Sequence, residues 1–532
     1  MGRELRRRKK MIKKIRYLFL GALMMLAAMN LAPSSGTAQP VRGGTLTIGM
    51  IAEPAVLDSC SGAWNIAPFA GNMLSSILET DENMKIGPGI AESWSLDARD
   101  KTYTFNIRKG AKWHDGKPFT VQDVKFTFET FLPKFDDRGE YLKDSKVDIV
   151  SDTKVVLKPG RWVPAIQTGR MACVDWVIYP KHLLEGVDFM KSDFRKAPVG
   201  TGPFKFKEWV RGSHITLERN NDYWKPNKPY LDRIIFKFIR DPSIMLASLT
   251  TGEVDFAYRG LPYEAYETMK KSPNLNVILD YKPNYKVLLV NNTRHPILSN
   301  LLVRQAFAHA IDKKDIASKS TSNVCRPSDL FFAPELLPPN PNIKVYDYNP
   351  KKAEELLDQA GYPRKSGGIR FSIQLLERVG EADEEKAGDL FKDYLKAVGV
   401  DVTIKKVDFN TALQMSGNYQ FDIMMFKRLL GPYFTYSQHH SSFIKPGVPL
   451  TNISQYKNPK VDQWYDHWAQ SATEEEQKKG LLNAETIMTE DLPELPLFDV
   501  SWMYVWNKRV QNPFVPVRNW LQSEPLDNIY IK

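Results

Sequence analysis

The sequence predicts an α/β protein of two unlike lobes, and three observations carry that expectation. Without an N-terminal leader the chain keeps about 494 residues, too many for one core and enough for two or three domains. Through the centre, strand follows strand at hairpin-length gaps. From about residue 284 the rhythm changes to alternating strands and helices.

The leader comes first in chain order. Nine basic residues from Arg3 to Arg16, opposed only by Glu4, precede a 16-residue apolar stretch from Tyr17 to Ala32. That stretch is shorter than the roughly 20 residues a membrane span needs. Gly36 and Ala38 then fit the −3 and −1 positions of a signal-peptidase cut before Gln39. Residues 1–38 are therefore expected to be a signal peptide, with Met11 an alternative start, and a tilted membrane anchor is the rival reading. No cysteine follows until Cys60, so no lipid anchor is expected, and the twin-arginine pattern is poor. A soluble, exported, periplasmic protein follows.

The leader also accounts for most of the formal charge of +11, leaving about +3 for the rest. A basic pI that resides in a leader gives no reason to expect nucleic acid as a partner. Cys60, Cys173 and Cys325 cannot all pair. One disulfide and one buried thiol are expected in an oxidising compartment, and the sequence does not choose the pair.

In the main chain, Leu46 and Ile48 alternate with threonines as in a strand, and Tyr103, Phe105 and Ile107 mark another. Thr120 and Asp123 form a capping box ahead of a helix whose apolar face holds Val121, Val124, Phe128 and Phe131. Strands are expected at Phe204–Trp209, Ile215–Glu218 and Ile234–Ile239, in a mixed or antiparallel sheet. Ser299 is expected to cap a helix carrying Leu302, Val303, Ala306, Phe307, Ala310 and Ile311. Asn349 caps the next, with Pro350 in its first turn and Gly361 as its stop. Alternation at Ile369–Leu375, helical spacing from Ala387 to Val398, and alternation again at Val400–Ile404 predict a strand–helix–strand unit with a parallel pair.

A set of landmarks then carries a resemblance. In order they are Glu53-Pro54 with Leu57-Asp58, Ala91-Glu92-Ser93-Trp94, Tyr103-Thr104-Phe105 and Trp113 to Phe119 with Asp123-Val124. Gly200-Thr201-Gly202-Pro203-Phe204, Glu218-Arg219-Asn220 with Asp222-Tyr223-Trp224, and Gly252 to Asp255 follow. The second half adds Val303-Arg304-Gln305-Ala306 with Ala310-Ile311-Asp312, and Ala353–Leu357 before Ala360-Gly361-Tyr362. Over nearly the whole main chain the sequence resembles the family 5 extracellular solute-binding proteins, the dipeptide-, oligopeptide- and nickel-binding receptors of ABC importers.

The resemblance implies a two-lobed periplasmic-binding-protein fold with an extra subdomain inserted in the first lobe. The first lobe would comprise 39–80, 197–283 and 485–532, the inserted subdomain 81–196, and the second lobe 284–484. It further implies capture of a small peptide-like or polar solute between the lobes, and delivery to a permease and ATPase. The receptor would be a monomer without catalysis or cofactor. A role presenting ligand to a sensor protein stays open.

Most landmarks read as architecture. Gly200–Pro203 suits a tight turn rather than a phosphate loop. His114 reads as a turn or packing residue rather than a metal ligand, and Trp94 and Trp224 as packing aromatics.

For ligand binding the candidates are Trp64 and Asn65, Lys427 and Arg428, Tyr433 and Tyr436, and Trp502. The family commonly places an acidic residue after the strand near Phe421-Asp422 to pair with a peptide's amino group. Here no carboxylate occurs from Ile423 through Phe443. Lys427-Arg428 instead suggests an anionic or neutral polar solute, against the alternative that both are solvated surface charges. Tyr433, Phe434, Tyr436, Trp502 and Tyr504 are candidate stacking walls. His439-His440, read on one strand with opposed side chains, makes a poor chelating pair, so a nickel- or metal-chelate receptor is an alternative and no metal site is assigned. A secreted hydrolase with a non-contiguous site is the rival from another class, although no Gly-x-Ser-x-Gly, His-Glu-x-x-His or Cys-x-x-Cys motif occurs.

Overall fold

The computed structural model describes residues 40–60, 66–81, 85–136, 139–257, 260–512 and 526–532, without the side chains of 282–285 and 433. The expected leader, 1–38, lies outside them, as do Trp64 and Asn65. Among the described residues no helix is long and apolar enough to cross a membrane.

Among the described residues, fourteen of the nineteen strands make up most of the two larger sheets: β1 (Thr45–Met50), β2 (Ala91–Asp97), β3 (Thr102–Ile107), β4 (Lys146–Ser151), β5 (Lys154–Lys158), β6 (Phe204–Val210), β7 (His214–Arg219), β8 (Arg233–Phe238), β9 (Phe256–Ala257), β10 (Leu275–Asn291), β11 (Phe371–Arg378), β12 (Val400–Val407), β13 (Ile423–Leu429) and β14 (Glu494–Asn507). Ten of them join in one continuous sheet, ordered β12-β11-β13-β10-β14-β9-β1-β8-β7-β6, with the short strand Arg326–Pro327 added on β14.

The sheet runs through both lobes because β10 and β14 do. Their lower halves pair from Leu275 opposite Asn507 to Asp280 opposite Trp502, beside β9 and β1 of the first lobe. After an irregularity between Asp280 and Tyr285 they pair again from Tyr285 opposite Val500 to Val290 opposite Glu494, beside β13 of the second lobe. Two antiparallel strands thus form the connection, and the register break marks where it bends. β14 shows no alternation because every residue from Glu494 to Trp506 is buried, as in a strand covered on both faces.

In the first lobe β8, β7 and β6 form the expected antiparallel meander, and β1 adds parallel to β8 and β9. The inserted region makes its own sheet in the order β2-β3-β5-β4. Helix α1 (Val121–Phe126) starts at the predicted capping box, with the Thr120 amide donating to Asp123 Oδ2 at 2.9 Å, and passes into a π-helical turn at Thr127–Phe131. Helix α2 (Pro164–Met171) follows. His114 is the packing residue the sequence suggests. Its Nδ1 accepts the Gly200 amide at 3.2 Å, its Nε2 lies 3.0 Å from the Gly202 carbonyl, and burial pushes it down to about 4. The two glycines are needed for close approach, since a Cβ at Gly200 would stand 1.9 Å from the Met73 carbonyl oxygen. Trp94 and Trp224 pack, partly buried, against the main core.

Downstream of β10 lie α3 (Leu301–Ala310), α4 (Pro350–Gln359), α5 (Ala382–Ala397), α6 (Phe409–Gly417), α7 (Pro432–His439), α8 (Pro459–Gln470) and α9 (Glu474–Asp491), the last of which runs across the expected lobe boundary at 484/485. Asn349 caps α4 and Pro350 opens it, as expected. The β11–α5–β12 unit is parallel, Phe371 opposite Val400 through Arg378 opposite Val407.

Three expectations need correction. The cap of α3 is Asn300, whose side chain accepts the Leu302 amide at 3.0 Å, because the Ser299 hydroxyl donates back to the Pro296 carbonyl. No disulfide joins the cysteines. Cys60, Cys173 and Cys325 are buried thiols, with Cys60 Sγ 3.1 Å from the Tyr179 hydroxyl and Cys325 Sγ accepting the Ser501 amide. His439 lies on helix α7 rather than on a strand, and His440 is the helix's C-terminal cap. Pro432 at the first helical position breaks the extended run after β13.

Candidate functional site

Several side chains of interest lie around the bend of β10 and β14. From the first lobe comes the turn Pro262–Glu264. Tyr263 donates to the Ser501 carbonyl at 3.1 Å, and burial beside Cys325 and Asp383 holds its phenol well above the ordinary range. From the bend itself, Tyr281 donates to the Val324 carbonyl at 2.8 Å, and the Arg326 guanidinium sits 4.2 Å over its ring. Arg326 continues to Asp499 at 2.7 Å and to Glu335 with two bonds of 3.0 and 2.9 Å. Asp499 also takes the buried Lys286 ammonium, which donates to Ser328 as well. Both hinge strands therefore carry buried charges, and Lys286 of one and Asp499 of the other compensate each other.

The second lobe contributes the end of β13 and the first turn of α5. Lys427 Nζ binds Glu381 Oε2 at 2.7 Å and Asp383 Oδ1 at 3.0 Å. Burial alone would lower its pKa, but these two carboxylates and Glu384 outweigh it and keep the ammonium protonated. Arg428 is 2% exposed and pairs with Glu494, which is fully buried at the start of β14. Burial raises the Glu494 carboxyl, yet Arg428 and His439 outweigh that and hold it below the usual range. His439 Nδ1 donates to the Thr435 carbonyl at 3.0 Å, and its Nε2 lies 3.2 Å from Glu494.

Lys427 and Arg428 are thus neither solvated surface charges nor uncompensated anion receptors. They sit on one strand but serve different partners. Lys427 faces the acidic first turn of α5, whereas Arg428 belongs to a sealed ion cluster.

Tyr436, 1% exposed, hydrogen-bonds Asp466 at 3.2 Å and accepts from Arg161 of the inserted subdomain at 3.4 Å. Helix α2 of that subdomain packs on α8 close by. Trp502 is 9% exposed at the bend, 6.3 Å from Tyr504 in an edge-on arrangement, and Tyr504 is wholly buried against Phe256. The backbone of Tyr433 lies on α7; its side chain, like Trp64 and Asn65, is outside the described residues. On the outer side, Lys386 of α5 reaches Glu264 at 2.8 Å, a further bridge between lobes.

Sequence reasoning missed Tyr263, Tyr281, Arg326, Glu381, Asp383 and Glu494. The acid run Glu381-Ala382-Asp383-Glu384-Glu385 was visible as helix-start chemistry. Its convergence on Lys427, more than forty residues away, was not. Among the described residues no group of three His, Cys, Asp or Glu could hold a metal ion. A recess of about 440 Å³, lined by Glu92, Arg108, Asp222 and Trp224 among others, opens elsewhere, and none of the candidate residues lines it.

Comparison with known proteins bears on this geometry. The family model described as bacterial extracellular solute-binding proteins, family 5 Middle, matches residues 85–443. The oligopeptide-binding protein AppA of Bacillus subtilis is 31% identical over 473 residues, covering 84% of this chain and 84% of AppA. The solved structure of Bacillus subtilis AppA in complex with a nonapeptide superposes with a TM-score of 0.78 at 27% identity, covering 93% of this chain and all of that one. NikZ from Campylobacter jejuni, solved in complex with Ni(L-His), gives a TM-score of 0.75 at 25% identity, over 88% of this chain and 95% of that one.

Proposed function

This chain belongs to the bacterial extracellular solute-binding proteins of family 5, receptors of ABC importers, and we propose that its cargo is a peptide or peptide-like polar solute enclosed between its lobes. The hinge carries this reading. β10 and β14 pass from lobe to lobe, and the contacts Tyr263–Ser501, Arg161–Tyr436 and Glu264–Lys386 draw the facing surfaces together beside them. Rotation about Asp280–Tyr285 and Val500–Trp502 separates those surfaces without breaking either lobe's core. A ligand touching both lobes favours the closed form by its difference in affinity for the two forms.

Peptide-like cargo is supported by the oligopeptide-binding relative and by the charge arrangement. With Lys427 and Arg428 both compensated, the basis on which the sequence favoured an anion is removed. Trp502 and Tyr436 remain our candidates for apolar contact, together with Trp64, Asn65 and Tyr433. In this reading the receptor works as a monomer outside the cytoplasmic membrane, and permease docking and ATP hydrolysis involve other subunits.

The family consists of receptors, and we infer no catalysis for this chain. Ser442, His440 and Asp466 do line up, with Ser442 Oγ 2.8 Å from His440 Nδ1 and His440 Nε2 3.5 Å from Asp466. But Nδ1 also accepts the Ser442 amide at 3.1 Å, as the cap of the short turn Ser441–Phe443. The nitrogen facing the hydroxyl serves the backbone, which is a cap rather than a base poised on a nucleophile.

A thermal-shift panel on protein stripped of ligand by unfolding and refolding tests the reading. Di- to nonapeptides, organic anions, and nickel with and without histidine form its arms. A ligand at 100 times its dissociation constant stabilises by about 2.7 kcal/mol. Stabilisation by peptides is expected. A response to nickel–histidine or organic anions without any response to peptides overturns the cargo assignment and leaves family membership intact.

A further inference from the structure

Glu377, next to last in β11, is wholly buried, and neither carboxyl oxygen has a hydrogen-bond partner. Its Oε1 occupies the space of a side chain at position 388, where a Cβ would stand only 1.5 Å away. Gly388 lies in the second turn of α5, so the acid is wedged directly under the helix backbone.

Every neighbouring element brings charge. On β11, Arg378 is committed to Glu384 of α5, with its Nε 3.1 Å from Oε2. α5 itself also carries Glu385 and Asp389, and its start holds Glu381 and Asp383, both committed to Lys427 of β13. On β12, Lys406 stands 3.9 Å from Glu377 Oε2, but its ammonium is held by Glu385 at 2.8 Å. At the start of α6, Asp408 binds Thr411 and its own helix amides, and Phe409 lies under Arg378.

We propose that Glu377 is a proton-controlled stop beneath α5: protonated, it lets the helix seat on β11 and hold the closed form, and ionised, it lifts the helix and favours the open form. The coupling to closure is short. Lys386, two residues before Gly388, makes the bridge to Glu264 of the first lobe, and Asp383, one turn earlier, lies beside Tyr263. This goes beyond the receptor assignment, because it concerns how external pH would set the receptor's resting state whatever the cargo.

Burial pushes Glu377 up to about 8. Lys406 opposes the shift, while Asp389, Glu385 and Glu384 add to it. A carboxyl raised in the seated state favours seating fully below its ordinary value near 4.5, and that contribution is lost as pH rises toward 8. Glu384, which burial pushes up to about 7, titrates in the same window, so the test must isolate Glu377.

The test is hydrogen–deuterium exchange over residues 382–397 of the full ligand-free chain at pH 6 to 9, corrected for intrinsic rates, in wild type and Glu377→Gln. Wild-type protection should fall about tenfold more steeply per pH unit between pH 6 and 8 than that of the Gln variant, in which only Glu384 still titrates there. Flat wild-type protection, or an equal fall in the variant, overturns the proposal. Lys406→Met, at a half-exposed position, gives an independent check. Removing the opposing cation should move the wild-type transition to higher pH, and an unmoved or lowered transition contradicts the proposal.

Discussion

Glu494 shows how much rests on single side chains inside this receptor. Arg428 and His439 both depend on its carboxylate in a space sealed from water. Glu494→Gln should cost about 3–5 kcal/mol, because it leaves a buried guanidinium uncompensated. Replacing Arg428 and Glu494 together with methionine should cost far less, as chemical denaturation of the two variants would show. Gly388→Ala should destabilise by about 1–3 kcal/mol through collision with Glu377, and Glu377→Ala in the same chain should restore most of the loss. At this scale the sequence was half legible. The basic pair after Phe426 stood out, but its partners lie more than forty residues away, Glu381 and Asp383 in an acidic helix start and Glu494 in a strand with no marking of its own. Charge type is a local property and charge pairing a tertiary one. The aromatic candidates divide in the same way: Tyr436 is held by Asp466 and Arg161, while Trp502 lies at the bend itself.

Among the elements, the capping and turn chemistry of α1 and α4 and the β11–α5–β12 unit follow from neighbours in sequence and were readable as such. The cap of α3 was displaced by one residue, since Ser299 and Asn300 are both good caps and only the backbone path chooses between them. Asn300→Ala should cost about 1 kcal/mol in thermal unfolding, whereas Ser299→Ala stays within about 0.5 kcal/mol. The hinge strands were not legible. β14 is buried on both faces and lacks the two-residue alternation that marks a half-exposed strand, and β10 changes its partners midway. The elements that define the mechanism were therefore those with the weakest local signature.

At the scale of the whole molecule, two lobes and an inserted sheet followed from length, from the change of rhythm and from the family landmarks. The joining of both lobes by one continuous sheet did not. Among the described residues, the contacts that tie the facing surfaces of the lobes together at the rim are weak. Lys386–Glu264 is about half exposed on both sides and is worth ~0.2–1 kcal/mol, and the long Arg161–Tyr436 hydrogen bond of 3.4 Å about 1 kcal/mol. Arg161→Ala or Lys386→Ala should weaken ligand affinity by no more than about fivefold, measured by titration calorimetry, and leave the melting midpoint nearly unchanged. A loss of several hundredfold would instead make either residue a direct ligand contact.

In the proposed function, the receptor captures its solute reversibly by closure of the two lobes. Small-angle X-ray scattering of the ligand-stripped protein, with and without a saturating peptide from the stabilising set, tests it most directly when the peptide is then recovered for mass analysis. Capture by closure gives a smaller radius of gyration on binding and a peptide recovered at its original mass. Saturation without compaction, or a peptide recovered cleaved, would contradict it.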